Sequence, residues 1–572
     1  MQSLRLVFRW FVILSPFSLM LAAGVGFAVG PGAADPGDAE AGDAEVVWNL
    51  VIGVPGEDLP GPVADAGMLH LIYGGADGLQ AAGGLAFDQD SPGSTNPAEI
   101  DDTFGSTLAA GDFNGDGHYD LAVGVPFENL TVSGSLITSA GAVQVLYSDN
   151  TGVLSMAGSQ FWHQASPGVD GSAEYNDQFG KALAVGNFNG DAYDDLAIGI
   201  PFEDFEYTTT VSNAGSVVVL YGSAGGLSTS AVLPDQMWHQ DRTGIADSVE
   251  DYDWFGFSLA AGDFDGDDYA DLAIGAPGED SEAAGKDDIG VVHVLYGSLD
   301  GLTSTGSQQW EQYDWGGSAE SESYDHFGWS LAVGTFRAFG PDDLAIGVPD
   351  EDIQTYTTIT DAGAVNILYG SPDGLTDDLV DFLYQDGGYI DETAEYLDRF
   401  GYTLAAVDFG GIGIDDLVVG VPFENLGDPL VTDAGLVHVV IYMAHTGWVG
   451  DGIRTFHQGK DTIPDELEAG DRFGYALAPG DYNGDGKEDL AIGAPYDSCH
   501  LDMDGSVVVI YDAVASSPDI SPQRWCQASL SDPAEASDFF GLALAALPDS
   551  RPEPPDPDEP LKTFIPIIRM DD

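Results

Sequence analysis

The sequence predicts an all-β fold: a seven-bladed β-propeller of four-stranded antiparallel blades, whose seventh blade is closed by the N- and C-terminal strands. Three observations predict it. One sequence unit recurs along the chain, each unit contains four short apolar runs, and the markers of the unit are offset between the two chain ends. Units of four strands that repeat radially form a propeller.

The recurrence is visible in three markers, each of which occurs seven times. A Phe-Gly pair returns at steps of 67 to 76 residues, beginning at Phe104, Phe179, Phe255, Phe327, Phe400, Phe473 and Phe540. A Gly-x-Pro sequence ends at Pro55, Pro126, Pro201, Pro277, Pro349, Pro422 and Pro495. An apolar run ends at Tyr73, Tyr147, Tyr221, Tyr296, Tyr369, Tyr442 and Tyr511.

Each apolar run of a unit has the features of one strand. In the third unit, the runs SLAAGDF and DLAIGAP are bounded by Gly and Asp, which is typical of strands buried on both faces. The runs VVHVLYG and SQQWEQ follow as strands three and four, with the turn sequence GSLDGL between them. Because no window has a convincing helical period, helices are not expected.

The offset of the markers predicts how the ring closes. The chain begins with a Gly-Val-Pro that has no Phe-Gly before it and ends with a Phe-Gly that has no Gly-x-Pro after it. An open ring would leave unpaired strand edges at both ends. We therefore expect Phe540–Leu547 to pair with Asn49–Pro55, so that residues 46–547 form one propeller.

The flanking segments predict export. Arg5 and Arg9 precede the apolar stretch Trp10–Val29 and a run of small residues, which indicates a signal peptide over 1–34, with an uncleaved span as the alternative. Residues 35–45 read as an acidic linker. Residues 548–572 read as a Pro- and acid-rich tail with a short apolar end, which is either an attachment signal or an unpacked terminus. The protein is expected to be secreted or associated with the cell surface.

The composition is strongly acidic. Asp and Glu total 96 against 15 Lys and Arg, for a net charge of −81. Such a surface repels nucleic acid and anionic lipid, so we expect no nucleic acid partner and no direct membrane binding by the propeller. It attracts cations, although solubility in salty surroundings also favours acidic surfaces. The two cysteines, Cys499 and Cys526, form a disulfide or remain as two free thiols.

Four loops between strands one and two share the spacing D/N-x-D/N-x-D-x-x-x-D, with Gly at the fourth place. Oxygen side chains at places one, three, five and nine converge as the loop curls, and place seven contributes only its backbone carbonyl. Ca2+ prefers six to eight such oxygens, whereas an ordinary Asp/Gly turn is the alternative reading. The predicted ligands are Asp112, Asn114, Asp116, His118 and Asp120 in unit one; Asn187, Asn189, Asp191, Tyr193 and Asp195 in unit two; Asp263, Asp265, Asp267, Tyr269 and Asp271 in unit three; and Asp481, Asn483, Asp485, Lys487 and Asp489 in unit six.

Two loops depart from this spacing. Unit four has Thr335, Arg337 and Phe339 at places one, three and five, and unit five has Gly410 and Ile412 at places three and five. We therefore predict about four calcium sites, in units one, two, three and six. In unit four, Arg337 is expected to place its own positive charge in the vacant site.

The markers FG, DxDxDGxxD and GAP, in fixed order, resemble the FG-GAP repeat family, best known from the propeller at the head of integrin α subunits. The resemblance covers about Val46 to Leu547. It implies calcium in the hairpin loops of one face and a ligand surface on the opposite face, in the loops after strands two and four. The family's leg region and inserted adhesion domain have no counterpart in this sequence. The loops of the implied ligand surface include Phe127–Ala140, Phe202–Asn213, Glu279–Asp288, Glu351–Asp361 and Phe423–Asp433.

The function predicted from these features is that of an exported calcium-binding module for extracellular adhesion or recognition, which binds a protein or glycan and is not an enzyme. The alternatives are the propeller domain of a secreted hydrolase and a structural surface-layer or matrix protein. The sequence contains no Gly-x-Ser-x-Gly or His-Glu-x-x-His motif. His163, His239 and His457 recur in strand four, but Glu311 and Cys526 replace them in other units, which favours a blade-edge position over a catalytic one.

Overall fold

The computed structural model describes residues 47–549, except 62, 231–233, 282–284, 313–320, 338, 355–356, 388–389, 391, 428, 444–446, 449–452, 461–462, 515–519 and 531–533. The signal peptide predicted over 1–34, the linker over 35–45 and the tail beyond 549 lie outside the described residues.

Seven four-stranded antiparallel sheets form the blades of a propeller, which confirms the predicted fold class. The first strand of each blade contacts the first strands of both neighbouring blades, so the seven inner strands close a ring. From the inner to the outer strand, the bounds are Thr107–Gly111, Asp120–Val125, Ala142–Ser148 and Leu154–Trp162 in blade 1; Ala182–Gly186, Asp195–Ile200, Ser216–Leu220 and Gln236–Trp238 in blade 2; Ser258–Gly262, Asp271–Ala276, Val291–Tyr296 and Thr303–Trp310 in blade 3; Ser330–Gly334, Asp343–Val348, Ala364–Tyr369 and Thr376–Leu383 in blade 4; Thr403–Val407, Asp416–Val421, Leu436–Val440 and Arg454–Phe456 in blade 5; Ala476–Gly480, Asp489–Ala494, Ser506–Ile510 and Gln523–Trp525 in blade 6; and Ala543–Pro548, Trp48–Val54, Met68–Tyr73 and Gln80–Phe87 in blade 7.

Blade 7 is closed from both ends of the chain, as the offset of the markers predicts. Its inner strand Ala543–Pro548 pairs antiparallel with Trp48–Val54, from Gly53 opposite Ala543 to Trp48 opposite Pro548. The strand begins three residues later and ends one residue later than the predicted span 540–547, because Phe540 and Gly541 belong to the turn that enters it. The closure therefore supplies the inner strand of blade 7 and brings the two ends of the chain together in one sheet, so that the ring of blades is complete.

The core lies between neighbouring blades. The phenylalanine of every Phe-Gly pair is fully buried, and the first two strands of the blades are buried along nearly their whole length. The glycine of Gly-x-Pro is required by close packing between blades. At Gly199, a Cβ atom would stand 2.1 Å from the carbonyl oxygen of Gly256 in the next blade. The repeated Phe-Gly and Gly-x-Pro markers therefore meet in space and hold adjacent blades together.

Smaller elements extend from the blades. A disulfide joins Cys499 to Cys526 across a Cα–Cα distance of 6.3 Å. One 3-10 helix, Gln527–Leu530, follows the last strand of blade 6. Within the described part of the chain, no helix is long and apolar enough to span a bilayer. Four two-stranded hairpins add Leu130–Val132 with Ser135–Ile137, Phe205–Glu206 with Thr210–Val211, Ile353–Gln354 with Thr358–Ile359, and Tyr442–Met443 with Gly447–Trp448.

Candidate functional site

The four Asp loops lie on one face of the propeller, each between the first two strands of its blade. The residue at place nine is also the first residue of strand two, and its buried carboxylate accepts backbone N–H groups from two directions. In blade 3, Asp271 accepts from Phe264 at 2.8 Å and from Gly297, in the turn after strand three, at 2.8 Å. Asp195 and Asp489 accept from equivalent groups at 2.9–3.0 Å. The place-nine carboxylate therefore ties the loop to the blade.

The residue at place one produces the curl of the loop. In blade 3, one oxygen of Asp263 accepts the N–H groups of Gly266 at 2.7 Å and Asp267 at 3.1 Å, and the other accepts that of Asp268 at 3.1 Å. Asp112 and Asp481 make the same three hydrogen bonds in blades 1 and 6. Gly at place four has a φ of +67° to +76° in all four loops, so the glycine is needed for this turn.

Blade 3 brings three carboxylates together. Oxygen atoms of Asp263, Asp265 and Asp271 lie within 4.8 Å of one another. Oδ1 of Asp265 is buried and has no hydrogen-bond partner among the described residues. Burial and the nearby Asp263 and Asp265 charges raise the pKa of Asp271 to about 8. Uncompensated carboxylates at this spacing repel one another, so the donor set fits a hard divalent cation.

In the other three loops, Asn amides take part. Nδ2 of Asn114 donates to Asp120 at 3.2 Å, and Nδ2 of Asn483 donates to Asp489 at 3.4 Å, whereas Oδ1 of Asn483 is buried without a partner among the described residues. In blade 2, Asn189 donates to Asp191 at 3.0 Å. Asn oxygens are suitable calcium ligands, so these loops also fit the cation once the amides turn.

Place seven differs in its side chain but not in its backbone. The N–H groups of His118, Tyr193, Tyr269 and Lys487 each donate to the Asp two residues earlier, at 2.8–3.1 Å. The Lys487 side chain points to Asp512, with Nζ to Oδ1 at 2.8 Å, and lies 3.8 Å from Asp485. The shared backbone position agrees with a role for place seven that does not depend on its side chain.

Blade 4 replaces the acidic set with a guanidinium. Arg337 lies 2.9 Å from Asp343 at place nine, donates to the Gly370 carbonyl at 2.6 Å, and stacks over the Tyr369 ring at 4.3 Å. Burial raises the pKa of Asp343. The charge of Arg337 lowers this pKa again, so that it stands at about 6. Arg337 therefore places its charge beside the place-nine carboxylate in the loop that lacks the other acidic side chains, as the sequence suggests. In blade 5, Asp408 keeps the turn by accepting from Gly413 at 2.5 Å.

The opposite face, called the loop face here, carries the connections after strands two and four. Before each Phe-Gly pair, the sequence Glu-x-x-Asp-x-Phe-Gly forms a turn in which the Asp carboxylate accepts the N–H of the Glu, for example Glu174 to Asp177 at 2.5 Å. The third residue of every such turn is left-handed, with φ from +65° to +89°. These turns recur in all seven blades. The constant Glu and Asp before Phe-Gly are the sequence signal that predicts them.

Four of these turns display a tyrosine in consecutive blade junctions, and we call these residues the tyrosine ring. Two of them, Tyr252 and Tyr324, occupy the left-handed position at φ of +75° and +77°. The equivalent residue before blade 6 is Gly470. The ring consists of Tyr175, Tyr252, Tyr324 and Tyr396, which are exposed by 76%, 52%, 55% and 62%.

The centre of the loop face is packed rather than open. The residues that follow Phe-Gly in blades 3 to 6, namely Phe257, Trp329, Tyr402 and Tyr475, form one buried cluster with Leu542. The chain's own arginines cover its edge, with Arg399 and Arg472 at 5.2 and 4.9 Å from the Phe423 ring. The exposed tyrosines of this face are therefore those of the tyrosine ring, around the packed centre, together with Tyr207 in the loop after strand two of blade 2, which is 51% exposed.

Comparison with known proteins agrees with the repeat. A family described as FG-GAP repeat matches residues 104–146, 179–220, 255–295 and 473–510. These segments are the blades with complete Asp loops. The other three blades keep the fold without the complete motif.

Two curated relatives match longer stretches. The chain is 32% identical over 228 residues to integrin alpha-5 of Xenopus laevis, covering 39% of this chain and 19% of that protein. It is 26% identical over 459 residues to phosphatidylinositol-glycan-specific phospholipase D of Bos taurus, covering 75% of this chain and 49% of that protein. The chain thus spans half or less of the length of these relatives. The solved Dos1 propeller aligns over 84% of each chain at 14% identity, with a TM-score of 0.36, which is too low to support an argument.

Proposed function

We propose that this chain, a seven-bladed propeller in which four blades match the FG-GAP repeat and which is similar in sequence to integrin alpha subunits, is an exported, calcium-binding recognition module that holds an extracellular protein or glycan on its loop face. The observation that carries the proposal is the tyrosine ring. Tyrosine supplies rigid contact area with an apolar body and a polar tip at low entropic cost, which is why binding surfaces favour it.

The turn itself accounts for the backbone strain. A residue other than glycine with positive φ costs on the order of 1 kcal/mol or more, and six of the seven turns place such a residue there, for example Tyr252, Tyr324 and Leu397. The strain therefore belongs to the turn, and the feature that marks the four junctions is the exposed tyrosine that each of them carries.

Calcium would have a structural role on the other face. The side-chain oxygens at places one, three, five and nine would hold it in blades 1, 2, 3 and 6, together with the backbone carbonyl at place seven. Bound there, calcium supplies positive charge to a converging carboxylate set. The residues themselves already fix the loop: Asp263 closes the curl, and Asp271 joins it to the turn after strand three. The blades are stiffened from this side, and recognition takes place on the other.

The test is a combined glycan and protein array, probed with the full chain in calcium and in chelator. A variant in which all four ring tyrosines are changed to Ser should lose at least tenfold in affinity for any hit. The matched control changes exposed apolar residues of the Asp-loop face, Leu299, Phe339 and Ile412, to Ala. Equal binding by the tyrosine variant, or no ligand on either array, would contradict the proposal.

A hydrolase domain is the second candidate, and the 26% identity to the bovine phospholipase favours it. We propose that this chain lacks that activity by itself. The recurrent His163 and His239 have pKa values lowered by burial and lie at blade edges, where they resemble structural residues. Turnover of phosphatidylinositol-glycan substrates by the purified chain would reverse this assignment.

A further inference from the structure

Beneath the loop face, the blade junctions bury pairs of carboxyl groups. One member is the Asp of the sequence Glu-x-x-Asp-x-Phe-Gly, which precedes the first strand of a blade. The other member is the Glu of the sequence Gly-x-Pro-x-Glu, which follows the second strand of the same blade. In blade 7 this second sequence comes from the N-terminal part of the chain. Every member is at most 6% exposed. We call them the acid pairs: Asp102 with Glu128, Asp177 with Glu203, Asp253 with Glu279, Asp325 with Glu351, Asp398 with Glu424, and, by its equivalent place in the sequence, Asp538 with Glu57.

Each acid pair has the same hydrogen-bond frame, shown by Asp398 and Glu424. Oδ2 of Asp398 accepts the N–H of Glu395 at 2.5 Å, which closes the turn that carries Tyr396. Glu424 accepts from the amide of the buried Gln385 at 2.7 Å. Oδ1 of Asp398 has no hydrogen-bond partner among the described residues, and oxygens of Glu395, Asp398 and Glu424 lie within 4.8 Å of one another.

The glutamine is part of the frame in every acid pair. In each of them the Gln side-chain amide donates a hydrogen bond to Oε2 of the Glu carboxylate. The glutamines are Gln89, Gln164, Gln240, Gln312, Gln385 and Gln527.

Two carboxylates buried this close cannot both be ionised without a compensating positive charge. Aspartic proteases resolve the same conflict by letting two carboxyl groups share one proton. Burial raises the pKa of both Asp398 and Glu424, and the charge of Asp398 raises that of Glu424 further. The same two causes act in the four other pairs from Asp102–Glu128 to Asp325–Glu351.

Blade 6 shows what happens when the pair changes. Asp497 replaces the Glu, and Arg524 lies 2.5 Å from it and 2.9 Å from Asp465. Gln458 correspondingly donates to Asp465 at 2.9 Å instead of to the Gly-x-Pro acid. At the one junction with a different acid, the chain supplies its own cation, so the six acid pairs need an equivalent positive charge.

The groups that face the pair of Asp398 and Glu424 do not supply that charge, whereas in the blade 4 pair His326 lowers the pKa of Asp325 against the effect of burial. Around Asp398 and Glu424, Glu392 and Glu395 are both acidic and act against ionisation. Of the nearby arginines, Arg399 is paired with Asp350 at 2.8 Å, and Arg472 stacks over the rings of Phe423 and Tyr496 at 4.9 and 4.3 Å.

We propose that each acid pair holds one proton at neutral pH, shared between its Asp and Glu carboxyl groups, and that in the four pairs beneath Tyr175, Tyr252, Tyr324 and Tyr396 this proton fixes the turn that displays the tyrosine. The second half of this statement rests on the proposed function; the first does not. When the proton leaves, two like charges face each other beneath the turn, and the turn loses its anchor.

The sign of the pH effect follows from the direction of the pKa shifts. A carboxyl group with a raised pKa in the folded state contributes stability that is complete below its unfolded value near 4 and is lost as the pH rises through the folded value. The propeller should therefore melt at progressively lower temperature as the pH is raised from 5 to 9. Saturating calcium is present throughout, so that the Asp loops do not titrate.

The test variant is Glu424→Gln, which supplies a permanently neutral partner that can accept from Gln385 and donate to Asp398. Its melting temperature should exceed that of the wild type at pH 9, and its pH dependence should be smaller. The triple variant E203Q/E351Q/E424Q should reduce the pH dependence about three times as much as Glu424→Gln, because separate sites add. The matched control, Asp497→Asn, removes one of the two ion pairs of Arg524, leaves the one with Asp465, and should lower the melting temperature at every pH.

Several results would overturn the inference. The shared proton is excluded if the melting temperature of the wild type does not fall between pH 5 and pH 9. It is also excluded if Glu424→Gln lowers the melting temperature equally at pH 5 and at pH 9. A calcium stoichiometry that drops in Glu424→Gln shows that a cation holds the pair instead. Failure of the arrays affects only the proposed function, since melting requires no ligand. If a ligand is found, binding that does not weaken at pH 9 removes the link to the tyrosine ring.

Discussion

Blades 3 and 4 hold the same carboxylate in two different environments. Asp271 and Asp343 both begin strand two, and both accept backbone N–H groups from their own loop and from the turn after strand three. Asp271 faces Asp263 and Asp265, and its pKa is raised to about 8, whereas Asp343 faces Arg337 and reaches only about 6. The difference lies in the neighbours and not in the backbone.

This comparison separates two roles within one loop. The carboxylate at place nine belongs to the fold, because it satisfies backbone N–H groups in blades with and without the acidic set. Places one, three and five are free to change, provided that the place-nine charge is compensated. Blade 3 is proposed to use a metal ion for this purpose, and blade 4 uses an arginine.

The largest expected effect is the loss of the place-nine carboxylate in either blade. Asp271→Ala and Asp343→Ala each leave two backbone N–H groups without their hydrogen-bond acceptor. Each variant should therefore lose about 2–5 kcal/mol in the free energy of unfolding, measured with urea in saturating calcium. Calorimetry should distinguish them, since Asp271→Ala loses one calcium and Asp343→Ala loses none. Asp373→Ala, at an exposed turn, is the control. A calcium lost from Asp343→Ala would break the comparison.

A smaller effect is expected when only the arginine of blade 4 is removed. Arg337→Met keeps the packing against Tyr369 but leaves Asp343 without its ion pair. Because the Arg337 side chain is 27% exposed, the loss should be about 1–2 kcal/mol. The same loss should appear in calcium and in chelator, and Arg337→Lys should restore part of it. A loss that appears only in calcium would place a metal ion in blade 4.

Much of this fold could be predicted from the sequence because its signals are local and repeated. The spacing of the Asp loops, the offset that closes blade 7 and the departure at Arg337 all lie within one unit or at its ends. The acid pairs could not be predicted in the same way. Gln385, Asp398 and Glu424 recur at nearly constant spacing in the repeat, but they belong to three separate segments, and the spacing alone does not show that these segments pack against one another in the folded junction.

Exposure was equally difficult to predict. Tyr175 and Tyr396 stand four residues before the Phe, but Tyr252 and Tyr324 stand three before it, so alignment of the units does not place them in one ring. Their common feature is the left-handed turn closed by the buried Asp, which becomes visible only once the backbone is known. The proposed calcium ligands and the tyrosine ring thus differ in kind: spacing specifies the former, and the three-dimensional turn specifies the latter.

The smallest and most specific effect is expected in blade 5, which lacks ligands yet keeps the loop. Asp408 closes the curl through Gly413, Gly411 has a φ of +61° at place four, and Asp416 begins strand two. Oδ1 of Asp408 is buried without a hydrogen-bond partner in the described part of the chain. Only places three and five lack oxygen ligands, and there Gly410 has no positive φ and Ile412 is 60% exposed.

The double variant G410N/I412D would give blade 5 the ligand set of blade 1, Asp-x-Asn-Gly-Asp-Gly-x-x-Asp. Calorimetric stoichiometry should rise from four to five, and the added site should stabilise the fold by about 2–3 kcal/mol at a calcium concentration 100 times its dissociation constant. G410A/I412A is the matched control, which changes the same positions without adding oxygen atoms. A stoichiometry that stays at four would mean that the five oxygens of this spacing are not sufficient for calcium. The proposed difference between blades 3 and 4 would then have to rest on more than the residues at places one, three and five.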